Sequence, residues 1–111
     1  MGRFQEKSGQ VEIYDIQIAP EAQRGILSVP RTNRQIIIDA IDSLAVDARP
    51  STSICLRNAE NLRRLTVGDY RVVYGIEQSS LKITIELVRH RSIVYAGLAA
   101  FALTVRSKYS R

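Results

Sequence analysis

The stretch Leu62-Arg63-Arg64-Leu65-Thr66-Val67-Gly68-Asp69-Tyr70-Arg71-Val72-Val73-Tyr74 decides the fold. Apolar and polar residues alternate on either side of Gly68-Asp69, a two-residue spacer of the kind that joins antiparallel strands through a tight turn. Strands are therefore predicted over 61–67 and 70–77. Gln78-Ser79-Ser80 marks the next turn and 81–89 a third strand, which completes an antiparallel meander. A period of two then divides the faces. Leu65, Val67, Tyr70, Val72, Tyr74 and Ile76 point one way, as do Leu81, Ile83, Ile85 and Leu87 in the last strand. Leu62, Arg64, Thr66, Arg71, Val73, Lys82, Thr84, Glu86, Val88 and His90 point the other. The apolar set is predicted to meet helices, which leaves Arg64 and Arg71 on the uncovered face of neighbouring strands. Arg89-His90-Arg91 falls at one rim.

Helices are supplied by the residues upstream. A first strand is predicted over 11–18 (VEIYDIQI), rich in β-branched and aromatic residues. Pro20 suits a first helical turn and Glu21 complements the helix dipole, so a short helix is expected over 20–28, weakened by Gly25. After Pro30, Ile37, Ile41, Leu44 and Ala48 keep helical spacing over 34–48, flanked by Ile38 and Ala45, and Pro50 stops the run. Two helices with so short a connection make an antiparallel hairpin. Its stripe must bury against the strands, and 50–53 reads as loop. The order β-α-α-β-β-β predicts an α+β domain: an antiparallel sheet, helices on one face, a concave basic surface on the other.

The chain of 111 residues has room for one domain. It divides into a polar N-terminal extension, 1–10, the domain proper, 11–95, and a C-terminal tail, 96–111. The tail reads either as an amphipathic helix returning to the sheet or as a frayed, apolar terminus. The extension has no apolar h-region, and the run from Ala96 to Val105 is shorter than the about 20 residues a membrane-spanning helix needs. A soluble, cytoplasmic protein is expected, with no membrane partner. One cysteine, Cys55, excludes an internal disulfide, and one Cys with one His makes no zinc set. No phosphate loop, metal-ligand spacing or GxSxG elbow is present, so no cofactor and no metal are expected.

Charge is uneven along the chain. Residues 11–56 hold four Arg against six acids, whereas 57–91 hold six Arg and one Lys against four acids, and 92–111 add three more positive charges. The second half is therefore the surface for an anion, either a nucleic acid or merely a solubilising excess. Arg71 stands inside an otherwise apolar strand. It is either a guanidinium aimed at a phosphate or an exposed side chain paired with Glu86 across the strands. His90 is flanked by Arg89 and Arg91. Tyr95 is a core anchor for the tail or a platform on which a base stacks.

The stretch 62–74, followed by Val88-Arg89-His90-Arg91-Ser92-Ile93-Val94-Tyr95, resembles the RelE/ParE toxin superfamily, whose members carry a core like Leu-Arg-x-Gly-x-Tyr-Arg-Val-x-Tyr and a last-strand ending like Gly-His-Arg-x-x-Val-Tyr. The resemblance spans roughly 11–95. It implies the toxin of a type II toxin–antitoxin system with a RelE-like fold. Its partners are a RelB-like antitoxin, acidic and DNA-binding, mRNA on the 70S ribosome, and operator DNA reached only through the antitoxin. RelE-like members are endoribonucleases that cleave mRNA in the ribosomal A site without metal, the messenger's own 2′-hydroxyl attacking the adjacent phosphate. ParE-like members keep the fold and inhibit DNA gyrase.

By position, Arg71 matches the family's phosphate-binding arginine, Arg91 the arginine after the last strand, and Tyr95 the tyrosine that stacks on the base. Arg64 falls where some RelE-like members have a catalytic lysine. Leu62 falls where they have a second, and Arg89 replaces the expected glycine. Arg64, Arg71, His90, Arg91 and Tyr95 are thus the expected catalytic set, with Arg63 and Arg89 as substrate-binding residues. Cations suit a phosphorane, whose extra negative charge they stabilise. Arginine is a poor base, so with leucine at 62 the proton falls to His90, Glu60 or Tyr95, with His90 preferred, or catalysis rests on charge and positioning.

Overall fold

In the computed structural model, residues 12–56, 59–93 and Tyr109 are described, with Glu60 described in its backbone only. Among the described residues, five strands and two complete α-helices follow the order β1 (Asp15–Ile18), α1 (Pro20–Leu27), α2 (Arg31–Ser43), β2 (Ser53–Leu56), β3 (Ala59–Val67), β4 (Tyr70–Glu77) and β5 (Lys82–His90), with a 3₁₀ turn over Gln78–Ser80 between the last two and helical residues again at 91–93. The sheet order is β1-β5-β4-β3-β2. The expected meander is present, and Gly68, first of the two turn residues, sits at φ 58°, a region open to glycine.

Two departures from the sequence reading have a common cause. The segment ending the predicted loop forms a strand, β2, antiparallel to β3. The sheet is also mixed, because β1 pairs parallel with β5. A helical hairpin returns the chain to the end of the sheet where β1 finished. Three strands from there would leave the last antiparallel to β1; four leave it parallel. The missed strand therefore sets the direction of β5.

The helical apolar stripe is buried as expected. Ile37, Ile41, Leu44 and Ala48 join Ala22, Ile26 and Val29 against Leu65, Val72, Tyr74, Ile76, Ile83 and Ile85. The α2 helix begins directly after Pro30 and gives way at Leu44 to a turn, so Ala48 packs from outside it. Gly25 does more than weaken α1. A Cβ there would lie 2.2 Å from the carbonyl oxygen of Val88, so glycine permits helix and strand to approach this closely. None of the described helices is long and apolar enough to cross a membrane. The first strand, expected over 11–18, begins only at Asp15, residues 12–14 lying outside the sheet ladder. The extension 1–10, Val11 and, Tyr109 excepted, residues 94–111 lie outside the described residues.

Candidate nucleic-acid interface

The face of the sheet turned from the helices is set by its register. Arg64 pairs with Val73, Thr66 with Arg71, and Arg71 with Arg89. Arg64, Arg71 and Arg89 thus form a diagonal row on one face across β3, β4 and β5, Arg89 level with Arg71 and Arg64 two residues out of line with it. Like charges directly opposite one another are destabilising in a sheet, and here the two opposed guanidinium groups splay apart. Arg71 turns to the β3–β4 turn, where Nη1 donates to the carbonyls of Gly68 at 3.0 Å and Tyr70 at 2.9 Å. Its Nε is buried and makes no hydrogen bond among the described residues. Arg89 turns to α1, where Nη2 meets the Glu21 carboxylate and Nη1 donates to its own strand at Val88. Glu86 is not the partner of Arg71.

Beyond Val73 the period of two fails. Val73 pairs with Leu87 but Tyr74 with Ile85, so Glu86 is an extra residue, a β-bulge. Everything after it changes face. Val88 joins the helix-side core, whereas Leu87 packs with Leu62 and Val73 on the other side. The expectation that Leu87 faces the helices and that Val88 and His90 face away is therefore corrected. His90 lies opposite Tyr70, with the rings edge to face and their centroids 5.3 Å apart. The amide of Ser92 donates to His90 Nδ1 at 3.2 Å, which engages that nitrogen as an acceptor.

Nor is the second face wholly open. Tyr109, only 3% exposed, lies flat over Gly75 beside Ala59, Leu62, Val73 and Leu87. Its hydroxyl donates to the carboxylate of Glu86, itself buried. Burial, followed by the carboxylate, raises the Tyr109 pKa well above its ordinary value. Neither residue was singled out as functional from sequence. The signals were a glycine and a glutamate inside strands otherwise rich in branched residues.

The remaining predicted residues fall in different places. Arg91, exposed at the rim, donates its backbone amide to the Asp69 carbonyl at 2.7 Å and pairs through Nε with the Asp69 carboxylate at 3.5 Å. Arg63 lies on the helix side. Its Nε donates to Ser53 Oγ at 2.9 Å and Nη2 to the Ser53 carbonyl at 3.1 Å, tying β2 to β3. The structure thus brings Arg64, Arg71 and Arg89 into one row, with Arg91 at its end, and places Arg63 and His90 across the sheet. Tyr95 and the side chain of Glu60 lie outside the described residues. No group of metal-ligating side chains occurs among the described residues.

A mixed sheet with a helical hairpin on one face is a fold this chain shares with solved RelE toxin structures. RelE of the archaeal RelE–RelB complex from Pyrococcus horikoshii OT3 superposes with a TM-score of 0.65 at 23% identity, over 73% of this chain and 98% of that one. The RelBE2 toxin–antitoxin complex of Mycobacterium tuberculosis gives 0.63 at 21%, over 71% and 99%. A mutant of the Escherichia coli toxin RelE in the free state gives 0.65 at 14%, over 86% and 96%. No curated protein matches the chain. The family described as ParE toxin of type II toxin–antitoxin system, parDE, matches residues 16–95, and the chain belongs to it, within the RelE/ParE superfamily. The protein is the toxin of a type II toxin–antitoxin system.

Proposed function

We propose that this toxin is an endoribonuclease that cleaves mRNA at the ribosomal A site in the cytoplasm, by metal-independent attack of the 2′-hydroxyl on the adjacent phosphate. The observation that carries this reading is the row Arg64–Arg71–Arg89 on adjacent strands. Guanidinium groups gathered on one face match the charge and the acceptor geometry of a phosphodiester. Arg71 and Arg64 stabilise the phosphorane, Arg91 and Arg89 bind flanking phosphates, and Tyr95 stacks on a base. His90 stands on the other side of the sheet, so the proton falls to Glu60 or Tyr95, or charge and positioning carry the reaction. An acidic RelB-like antitoxin is the partner that neutralises the toxin, as the RelE–RelB complexes of matching fold suggest.

The test is primer extension on mRNA bound to programmed ribosomes, with end-group analysis. Cleavage should leave a 2′,3′-cyclic phosphate and fall at least about 10²-fold in Arg71→Ala, the scale of one transition-state donor. A 3′-hydroxyl product, or full activity in Arg71→Ala, contradicts the reading. Leu62, buried where RelE-like members carry a lysine, favours a second reading as a gyrase inhibitor. Growth arrest with DNA breaks and an SOS response would establish that one.

A further inference from the structure

Arg89 stands directly opposite Arg71, yet its guanidinium is drawn out of the row and held on α1. The anchor is Glu21, in the first turn of the helix that Pro20 opens. That carboxylate is shared, since Arg24 Nη2 reaches its other oxygen at 2.6 Å. Gly25, four residues on, lets α1 lie close enough for the contact. A Cβ there would lie 3.2 Å from Arg89 Nη1. A carboxylate gripped between two guanidinium groups has the charge and the acceptor geometry of a phosphodiester oxygen pair. The Arg89–Glu21 pair is also open to water, at 30% and 38% exposure, so solvent screens it and exchange for another anion is cheap.

We propose that Glu21 is an internal stand-in for phosphate: it parks Arg89 against α1, and an RNA phosphodiester entering between Arg71 and Arg89 takes the guanidinium from it. The arginine row is then complete only with substrate bound. The inference rests on the RNA-cleaving reading above and adds a positioning residue to it. Glu21 touches no substrate and acts through Arg89.

The experiment is fluorescence-anisotropy titration of an end-labelled, fully 2′-O-methylated ten-nucleotide single strand, which binds without being cut. Wild type is compared with Glu21→Gln, Arg89→Ala, their double variant and Arg71→Ala at one low salt concentration. Glu21→Gln should bind about three- to fivefold tighter, the scale on which an exposed ion pair couples. That gain should vanish in the Arg89→Ala background, which separates release of Arg89 from mere loss of a negative charge. Glu21→Asp keeps the charge on a shorter stem and is the second variant should the glutamine protein fold poorly. It should also tighten binding, and only when Arg89 is present. A gain that survives without Arg89, or no gain while Arg71→Ala weakens binding, would make the pair a simple tether and overturn the inference. Failure of wild type and all variants to bind the strand would overturn the inference, whereas the RNA reading itself stands or falls with the primer-extension test on programmed ribosomes.

Discussion

Gly75→Ala should destabilise this protein although the same exchange inside most strands stabilises it. Glycine in a strand interior costs roughly 0.5–1 kcal/mol relative to alanine, through its greater loss of conformational freedom. At position 75 an added Cβ would lie 1.9 Å from Cζ of Tyr109 and 2.0 Å from Cε1. Carbon atoms in contact stand about 3.5–4 Å apart, so the ring must retreat by close to 2 Å. Its hydroxyl is held by Glu86 at the edge of the same socket, and a ring moved that far loses both. Displacing a buried aromatic side chain costs about 3–5 kcal/mol. After the alanine gain is subtracted, a net loss of about 3 kcal/mol remains, or roughly 13 °C in Tm for a chain of this size. Urea unfolding followed by circular dichroism measures it. The diagnostic is a cycle with Tyr109→Ala. Once the ring is gone, Gly75→Ala should turn neutral or stabilising by about 0.5–1 kcal/mol. A stabilising Gly75→Ala in the otherwise native protein would refute the fit of ring to glycine.

Three further outcomes follow from the site. His90→Gln should leave cleavage on programmed ribosomes near the native rate, because the imidazole packs on Tyr70 away from the arginine row; a loss beyond about 10²-fold would return it to the proton-transfer role. Arg63→Ala should lower the urea midpoint by removing the bonds to Ser53, a cost of about 1–3 kcal/mol, with cleavage per folded molecule unchanged. The folded-state pKa of Tyr109 is raised above its ordinary value of 10.0, so its contribution to stability is complete below that value and is lost as pH rises above it. Midpoints measured from pH 8 upward should therefore fall more steeply in the native protein than in Tyr109→Phe, and coincident curves would contradict the buried phenol.

Where each level of structure became legible depends on how local its cause is. The meander could be read because Gly68-Asp69 and the alternation around it are contained in thirteen consecutive residues, 62–74. The burial of Ile37, Ile41, Leu44 and Ala48 followed from helical spacing even though α2 stops at Ser43. Strand β2 escaped notice because its four residues stand between Pro50 and Arg57-Asn58 with no alternation to show, and its pairing depends on β3. The bulge was illegible for a similar reason. Ile83-Thr84-Ile85-Glu86-Leu87-Val88 reads as unbroken alternation up to Leu87, and only pairing with β4 reveals that Glu86 has no opposite residue. One extra residue carried His90 to the helix side and left Arg89 level with Arg71. The socket at Gly75 joins residues 34 positions apart, which no local pattern reports.

The bulge also constrains how the proposed cleavage would proceed. Arginines stabilise the charge of a phosphorane but do not take up the 2′-hydroxyl proton, because their pKa lies above about 12. Among the described residues three carboxylates lie on the arginine face of the sheet. Glu86 is buried beneath Tyr109, Glu77 lies six residues along β4 from Arg71, roughly 20 Å at strand rise, paired with Lys82 at 3.9 Å, and Asp15 stands opposite Lys82 on β1, at the same remote level. None of the three is placed to receive the proton in this conformation. The imidazole that sequence favoured is on the far side. A positioned base contributes roughly 10²–10⁴-fold. With none placed among the described side chains, the proposed cleavage draws its rate from electrostatic stabilisation and from holding the 2′-oxygen in line with the leaving 5′-oxygen, beyond whatever Glu60 or Tyr95 adds. In-line geometry is hard to impose on a flexible single strand by one row of cations. It is far easier when the messenger is already held and bent by a larger body. The composition of the face thus argues for cleavage of RNA presented in a fixed shape over cleavage of free RNA.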